Sequence, residues 1–313
     1  MIQITSTQIE NLLSYPKLIS ALKNAFASSD ITVPLRHHHD IENNTLLLMP
    51  AWQKGKYMGV KLVNVAPENH QYNLPSIQGV YLLSDTEKGT PLAMMDAKLL
   101  TNKRTAAASA LASSLLSRKD SASLLMIGTG SLAPELIKAH ANVRTLKTIY
   151  VWGRNFEKAK ALALQLNDKF NIQAIEDLQV GISKVDIISC ATMSKESLVK
   201  GEWLREGQHL DLVGSYKPGM RESDDEVMMK ANIFVDTFEG ATKESGDIVI
   251  PIQKGVITLK DIKGDLFDLC SQKIKGRTNL KEITFFKSVG HALEDLVAAS
   301  LIYDQLIKEK NNY

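Results

Sequence analysis

The hydrophobic pattern of the chain changes near residue 115. A Thr7-x-x-Glu10 capping box and Pro16 predict the starts of two helices at the N-terminal end. Apolar runs broken by polar turns then predict strands at Thr45–Met49, Tyr57–Val65, Gly79–Ser84 and Thr90–Met95. The Ala- and Leu-rich stretch Thr101–Leu116 predicts a connecting helix. Residues 1–115 are therefore expected to form an α+β unit.

Beyond Ser121 the pattern alternates between strand and helix. Strands are predicted at Leu124–Ile127, Thr148–Trp152, Val185–Ser189, His209–Val213 and Ile233–Val235, and helices at Leu132–Val143 and Phe156–Leu166. This alternation predicts an α/β fold in which residues 116–290 form a Rossmann-type parallel sheet domain. The amphipathic stretch Ala292–Ile307 is expected to return to the first unit, so that residues 291–313 complete the α+β domain.

Composition excludes several classes of protein. The 313 residues are 44% hydrophobic and 23% charged with a net charge of +2, which gives no field suited to nucleic acid or an anionic membrane. No apolar run approaches the ~20 residues that span a bilayer. The N-terminus lacks a signal-peptide pattern, and Cys190 and Cys270 form no CxxC pair, so a cytoplasmic location is expected. The consecutive His37, His38 and His39 cannot all face one site, and no metal is expected.

A glycine turn follows the first strand of the second domain. The segment that it opens is Gly128, Thr129, Gly130, Ser131, Leu132 and Ala133. With a strand before it and a helix after it, this GxGxxA pattern is typical of a dinucleotide site. Gly128 allows the tight turn, Gly130 lets the backbone approach a pyrophosphate, and Ala133 permits close helix packing. The helix N-terminus then offers N–H groups to the phosphates.

The end of the next strand indicates which dinucleotide is bound. The run Trp152-Gly-Arg154-Asn155 has no carboxylate to hold a ribose 2′-hydroxyl. Arg154 can pair with a 2′-phosphate, and Asn155 can donate a hydrogen bond and also cap the following helix. NADPH is therefore the expected cofactor, with NADH as a weaker one. Gly290 either lets the backbone approach the nicotinamide or is simply the glycine at the entry to a helix.

Several short motifs together resemble the ornithine cyclodeaminase/mu-crystallin family over nearly the whole chain. They are Gly59-Val-Lys61-Leu-Val, Met95-Asp96 with Thr101-x-x-Arg104-Thr-Ala-Ala, the GxGxxA turn, and Phe286-Lys-Ser-Val-Gly290-x-Ala-x-Glu-Asp295. The resemblance implies that the first domain binds substrate and dimerises. It also implies that Arg36, Lys61 and Arg104 clamp a substrate carboxylate, which agrees with the bidentate geometry that arginine offers.

One loop departs from the cyclodeaminase pattern. Cyclodeaminases carry a Gly-Gly-Asp-Cys-Pro-Gly type loop, whereas this chain reads Val213-Gly-Ser-Tyr216-Lys-Pro218-Gly, which puts Tyr216 in the place of the aspartate. The loop resembles instead the ketimine reductase branch of the family. Farther along the chain, Glu244 and Asp247 are either supporting residues of the site or a solvated turn.

The expected reaction is hydride transfer from NADPH to the C=N bond of a cyclic imino acid. Δ1-Pyrroline-2-carboxylate would give L-proline, and Δ1-piperideine-2-carboxylate would give L-pipecolate. Lys61 either completes the carboxylate clamp or, as a catalytic residue, relays a proton to the imine nitrogen. An ornithine cyclodeaminase, an amino-acid dehydrogenase and a non-catalytic binding protein are the alternatives.

A homodimer is also expected. The apolar strand Tyr57–Val65 belongs to a sheet that no helix run is long enough to cover on both faces. A partly uncovered apolar sheet favours a symmetric partner, and the resemblance implies the same assembly.

Overall fold

The computed structural model describes residues 1–311, which divide into two compact units. The strands are β1 Ile2–Ile4, β2 Ile31–Thr32, β3 His37–Ile41, β4 Asn44–Gln53, β5 Tyr57–Val65, β6 Ile77–Asp85, β7 Pro91–Asp96, β8 Ser123–Ile127, β9 Thr148–Trp152, β10 Ile172–Ala174, β11 Ile187–Cys190, β12 His209–Leu212, β13 Ala231–Val235, β14 Ile262–Asp265 and β15 Ile283–Lys287. The helices are α1 Ser6–Leu12, α2 Tyr15–Ala27, α3 Ala97–Leu116, α4 Ala133–Val143, α5 Phe156–Leu166, α6 Leu178–Lys184, α7 Asp225–Lys230, α8 Phe238–Glu244, α9 Gly246–Gln253, α10 Leu266–Cys270 and α11 Ala292–Asn311.

The first unit contains Met1–Arg104 and the chain from His291 onward. Its sheet has the order β1-β7-β6-β5-β4-β2, and β3 also pairs with β4. The pairing of β1 with β7 is parallel and the other pairings are antiparallel, so the sheet is mixed. Helix α11 packs against β4, β5 and β6, so the C-terminal helix completes this α+β unit.

Alternation along β5 and β6 decides which side chains face the interior. Lys61 lies opposite Met49 of β4 and Tyr81 of β6, and all three side chains are buried. Met58 and Val80 belong to the alternate set and are exposed. Because successive side chains on a strand point to opposite faces, one face of the sheet carries the buried Lys61 row and the other an apolar surface.

The start of the first helix corrects a prediction from the sequence. Thr5, not Thr7, is the N-cap of α1, and its hydroxyl accepts the N–H of Gln8 at 3.3 Å. The Gln8 side chain returns the bond to the N–H of Thr5 at 2.9 Å, which closes the capping box. Glutamine can replace glutamate at the N3 position of a capping box, and Thr5 with Gln8 therefore forms the box instead of Thr7 with Glu10.

The second unit contains Thr105–Gly290, so the border between the units falls inside α3 and not after Leu115. Its sheet has the order β10-β9-β8-β11-β12-β15-β13-β14, and every pairing in the described part of this sheet is parallel. The chain runs outward from β8 to β10 and then returns to place β11 on the other side of β8. This reversal is the switch point at which parallel sheets bind ligands beyond their carboxyl ends.

Candidate functional site

The glycine turn lies directly at this switch point, between β8 and α4. Gly128 has a φ of +119°, and a Cβ there would lie 2.6 Å from the carbonyl oxygen of Ala191. A side chain is therefore excluded by backbone conformation and by space. At Gly130, by contrast, a Cβ would meet no atom of the described chain within 4 Å. The turn thus leaves open space on the side where a phosphate would approach.

The start of α4 fits a bound anion. Its N-cap residue, Leu132, has no side chain that could cap the helix, and Ala133 is fully buried against the core. Thr129 is half-buried and Ser131 is exposed, so both lie at the surface of the turn. The N–H of Ala133 donates to the carbonyl oxygen of Gly130 at 3.0 Å, and Pro134 has no N–H, so what this helix start offers to a pyrophosphate is the open glycine turn and the positive end of the helix dipole. These residues fit the diphosphate of a dinucleotide.

The end of β9 touches the same turn. A Cβ on Gly153 would lie 2.8 Å from Cγ2 of Thr129, which explains the glycine at this position. Arg154 is exposed, while the side chain of Asn155 caps α5 by accepting the N–H of Lys158 at 3.1 Å. The structure therefore shows the helix cap that was expected of Asn155. Arg154 is the cationic group that this strand end offers to a nucleotide.

Gly290 precedes α11 with a φ of +84°. Its N–H donates to Oδ2 of Asp236 at 2.7 Å, and the N–H of Val289 donates to the same oxygen at 2.7 Å. The positive φ accounts for the glycine. Its amide is already used in holding the turn Ser288–Gly290 to the end of β13.

In the first unit, Lys61 and Arg104 meet around the carboxylate of Asp295. Nζ of Lys61 lies 3.0 Å from Oδ1 and 2.8 Å from Oδ2 of this residue. Nε of Arg104 donates to Oδ1 at 2.9 Å, and its Nη1 donates to Oε2 of Glu294 at 2.6 Å. All four side chains are buried. We call Lys61, Arg104, Glu294 and Asp295 the cation cluster.

Burial and neighbouring charge set the proton affinities in this cluster. Burial, followed by the positive charge of Arg104, lowers the pKa of Lys61 to about 8, although Asp295 opposes the shift. Burial would raise the pKa of Asp295, but Arg104 and Lys61 together hold it below its usual value. The carboxylate is thus ionised at neutral pH, whereas the ammonium is close to titration.

Arg36 stands between β2 and β3 and is half-buried. Its charge lowers the pKa of Lys61, so it lies within electrostatic reach of the cation cluster. The three basic residues of the expected clamp are therefore brought together in the first unit. The charge of Arg36 thus adds to a cluster in which Lys61 and Arg104 are already paired with Asp295 and Glu294.

The sequence did not reveal that Arg104 is already engaged by two carboxylates. Asp295 accepts from its Nε and Glu294 accepts from its Nη1. The two acidic residues were visible in the sequence as neighbours in the first turn of α11. The contact with Arg104, about 190 positions earlier in the chain, could not be seen in the sequence.

Tyr81 is another residue that the sequence did not single out. Its hydroxyl is buried and has no hydrogen-bond partner among the described residues. Burial raises the pKa of Tyr81, and the nearby charge of Asp295 raises it further. A Cβ on Gly59 would collide with this hydroxyl, so the glycine makes room for it. The hint in the sequence was the tyrosine's place on the neighbouring strand, in register with Lys61.

Other candidate residues have simpler positions. His37, His38 and His39 lie on the exposed strand β3, and residues 1–311 contain no group of three or more His, Cys, Asp or Glu side chains that could hold a metal. No helix within that range is long and apolar enough to cross a membrane. Asp247 is fully buried, so the interpretation of this segment as a solvated turn is wrong for Asp247.

Comparison with known proteins gives a consistent result. The sequence model of the Ornithine cyclodeaminase/mu-crystallin family matches residues 1–310. The chain is 34% identical to a Delta(1)-pyrroline-2-carboxylate reductase of Colwellia psychrerythraea over 313 residues, covering 97% of this chain and 98% of the relative.

Two solved structures share the whole fold. The Delta(1)-pyrroline-2-carboxylate reductase of Thermococcus litoralis, in complex with NADH and L-proline, has a TM-score of 0.94 and 36% identity, covering 99% of this chain and 98% of the other. An archaeal alanine dehydrogenase dimer with bound NAD has a TM-score of 0.92 and 30% identity, covering 99% of this chain and 97% of the other.

Proposed function

Because the chain belongs to the ornithine cyclodeaminase/mu-crystallin family, we propose that it is an NADPH-dependent reductase of cyclic ketimine carboxylates. The substrates would be Δ1-pyrroline-2-carboxylate, reduced to L-proline, and Δ1-piperideine-2-carboxylate, reduced to L-pipecolate. The observation that carries the proposal is the cation cluster, in which an orientated Arg104 and a Lys61 of lowered pKa suit a substrate that is both a carboxylate and an imine. The relatives at 34% and 36% identity are Delta(1)-pyrroline-2-carboxylate reductases, which supports the proposal.

Arg104 and Arg36 would hold the substrate carboxylate. Glu294 and Asp295 fix the plane of the Arg104 guanidinium by accepting from its Nη1 and Nε, and its Nη2 would meet the substrate carboxylate. A planar, orientated guanidinium restricts how a carboxylate can lie, which in turn fixes the imine carbon bonded to it. Such positioning accounts for a large part of the rate enhancement in enzymes that do not activate a nucleophile.

Lys61 would supply the proton. A pKa of about 8 leaves the ammonium largely protonated at neutral pH but ready to release its proton. Protonation of the imine nitrogen makes the imine carbon strongly electrophilic. The nicotinamide, when bound, supplies the hydride. After the transfer, the Lys61 amine would take up a proton from solvent, and the Asp295 carboxylate would hold the re-formed ammonium in place.

The preference for NADPH rests on Arg154. This exposed side chain follows β9, where a carboxylate would favour the unphosphorylated ribose of NADH. The solved structures at 36% and 30% identity hold NADH and NAD, so the family binds nicotinamide nucleotides of that kind. In this chain Arg154 would add a charge-assisted contact to the 2′-phosphate. The expected compartment is the reducing cytosol, in which Cys190 and Cys270 remain thiols.

The proposal is tested by following NADPH absorbance with each ketimine, in parallel with an ammonia assay that uses ornithine and NAD+. We expect NADPH oxidation with at least one ketimine and no ammonia from ornithine. The half-buried Tyr216 stands where a cyclodeaminase has its aspartate, and a phenol does not replace a carboxylate in amino-group chemistry. Ammonia release without ketimine reduction would contradict the proposal. L-Alanine with NAD+ is the third arm, because an alanine dehydrogenase shares this fold.

We also propose that the protein is a homodimer formed through the exposed sheet face of the first unit. Trp52, Met58 and Val80 lie on that face, and each keeps more than a third of its surface exposed. Adjacent apolar side chains that remain exposed in a sheet favour a symmetric partner. Light scattering should give twice the chain mass of 34.6 kDa.

A substitution separates this interface from general surface effects. Trp52→Glu should give a monomer, whereas Leu164→Glu, at an exposed leucine of α5 in the second unit, should stay dimeric. Wild-type protein that scatters as a single chain at micromolar concentration would overturn the proposed dimer.

A further inference from the structure

Three fully buried charged residues of the second unit have no part in the sites described so far. They are Glu222, in the loop after β12; Asp247, in the first turn of α9; and Lys287, the last residue of β15. Burying charge is costly unless the charges are paired and their hydrogen-bonding capacity is used. The contacts of each side chain show which part of the structure it holds in place.

Glu222 holds two loops through their backbones. Its Oε1 accepts the N–H of Thr192 at 2.6 Å and the hydroxyl of the same residue at 2.8 Å. Its Oε2 accepts the N–H of Gly214 at 2.8 Å and that of Ser215 at 3.3 Å. A single carboxylate thus joins the loop that follows β11 to the loop that follows β12.

Asp247 holds the far end of the second loop. Its Oδ1 accepts the N–H groups of Glu222 and Ser223, each at 2.9 Å, and its Oδ2 accepts the hydroxyl of Ser215. The preceding Gly246 lies against the carbonyl oxygens of Met220 and Pro218, where a Cβ would collide. Helix α9 is therefore pressed against the loop that Glu222 organises.

Lys287 supplies the counter-charge. Its Nζ lies 3.5 Å from Oδ2 of Asp247 and 3.8 Å from Oε2 of Glu222, and it makes no hydrogen bond in the described chain. Burial raises the pKa of Glu222, and the charge of Lys287 opposes that rise. The ammonium thus favours the ionised carboxylate, which is the form that can accept all four of the hydrogen bonds described.

Both loops lie at the carboxyl end of the parallel sheet. The first follows β11, the strand beside β8, and its Ala191 carbonyl touches the glycine turn at Gly128. The second follows β12, the next strand outward. In a sheet of this topology a dinucleotide lies across the switch point. If the adenosine half were held near Arg154 after β9, the other half would extend toward the loops after β11 and β12.

We propose that Glu222, Asp247 and Lys287 are positioning residues that fix the two loops forming the nicotinamide side of the nucleotide site. This inference rests on the proposed use of NADPH. It assigns these residues no contact with the cofactor. They act by holding the backbone at Thr192, Gly214 and Ser215 in one arrangement before the nucleotide arrives.

The test separates the two halves of the nucleotide by binding affinity. NADPH is compared with ADP-ribose 2′-phosphate, which lacks the nicotinamide but keeps the 2′-phosphate. Glu222→Gln keeps the size of the side chain but replaces one acceptor oxygen with a donor, so either Thr192 or Gly214 loses its partner. We expect NADPH affinity to fall by roughly tenfold to a hundredfold, because binding must then supply the loop order that a hydrogen bond to a charged group had supplied. The affinity for ADP-ribose 2′-phosphate should stay within about twofold of wild type.

Hydrogen exchange gives a readout that does not depend on the cofactor. The N–H groups of Thr192 and Gly214 donate only to Glu222 in the described chain, so their exchange in the nucleotide-free protein reports this contact. Faster exchange at these amides in Glu222→Gln is expected. Unchanged exchange together with unchanged NADPH affinity would overturn the inference.

Asp211→Asn is the matched control. Asp211 is a fully buried carboxylate on β12 that binds Ser189 at 2.8 Å and His140 at 3.1 Å, and it contacts neither loop. This variant should lose stability yet keep the wild-type affinities for both ligands. An equal loss of both affinities in Glu222→Gln would indicate a merely structural role and would overturn the inference.

A milder variant covers the case in which Glu222→Gln does not fold. Asp247→Asn keeps an acceptor for the N–H groups of Glu222 and Ser223 but removes the charge beside Lys287, and it should shift NADPH affinity in the same direction by a smaller factor. Wild-type protein that binds NADPH but reduces no ketimine would overturn the proposed function alone, because this inference is measured by binding. Wild-type protein that binds NADPH no better than ADP-ribose 2′-phosphate would overturn the inference.

Discussion

The cation cluster of the first unit and the nucleotide turn of the second unit are built in opposite ways. Lys61 and Asp295 are 234 residues apart in the sequence, and both are buried. The turn from Gly128 to Ala133 is contiguous, and Gly130 and Ser131 at its centre are exposed. One site depends on side chains assembled by the fold, and the other on backbone shaped by a short sequence.

This difference determines what a substitution does in each place. Each buried ion in the cluster pairs with at least one other, so removing one breaks a buried ion pair and affects folding as well as binding. An exposed side chain such as Arg154 is not part of a buried ion pair, and its replacement should affect ligand binding alone. Function and stability are therefore coupled in the first unit and separable at the nucleotide site.

The largest effect is expected from Arg104→Ala. Glu294 and Asp295 would lose their arginine, and breaking a buried ion pair costs about 3–5 kcal/mol of the free energy of unfolding. Loss of substrate positioning should also lower kcat/KM by about 10²-fold or more. Arg104→Lys should restore little activity, because an ammonium cannot bind two carboxylates and a substrate in fixed directions. Urea unfolding and steady-state kinetics measure the two effects, and a folded Arg104→Ala enzyme with normal kcat/KM would rule out the clamp.

A smaller and purely functional effect is expected from Arg154→Asp. Losing one charge-assisted contact to the 2′-phosphate should weaken NADPH binding by roughly tenfold to a hundredfold. The free energy of unfolding should change by no more than about 0.5 kcal/mol, because the side chain is exposed. Lys158→Asp, an exposed charge reversal on α5, serves as the control. Equal affinity of the wild-type protein for NADH and NADPH would refute the role given to Arg154.

The pH profile is expected to show the most gradual effect. If Lys61 donates the proton, it must be protonated, so kcat/KM should be level below pH 8 and fall by about tenfold per pH unit above it. Asp295 raises the pKa of Lys61, and Asp295→Asn should therefore move the fall to lower pH. Lys61→Met should abolish this fall. A fall near pH 8 that persists in Lys61→Met would show that the substrate nitrogen, and not Lys61, titrates.

Much of the fold followed from patterns local to a few residues. Strand β9 and helix α5 begin and end at the predicted residues, because a buried apolar run and an Asn cap both act locally. Strand β15 was not predicted, although the Phe286-Lys287 motif lies within it. A short apolar run does not by itself distinguish a strand from the start of a helix, and β15 pairs with β12 and β13, which are distant in sequence.

The residues of the candidate site also differ in whether local sequence or long-range contacts reveal them. Gly128 and Gly130 could be interpreted from spacing alone, because a turn between a strand and a helix constrains its own residues. Glu294, Asp295 and Tyr81 could not, since their importance arises from contacts with Lys61 and Arg104 that only the fold creates. Asp247 was left between two interpretations for the same reason, because its burial depends on the loop that packs over it.

The origin of the hydrogen added to the substrate tests ketimine reduction most directly. NADPH deuterated at C4 on the transferred face is incubated with the enzyme and Δ1-pyrroline-2-carboxylate, and the product is analysed by mass spectrometry and NMR. Hydride transfer to the imine carbon predicts L-proline that carries deuterium at its α-carbon, with far less product formed by Arg104→Ala. Proline without deuterium at the α-carbon, or no proline at all while ornithine yields ammonia, would contradict the proposed reaction.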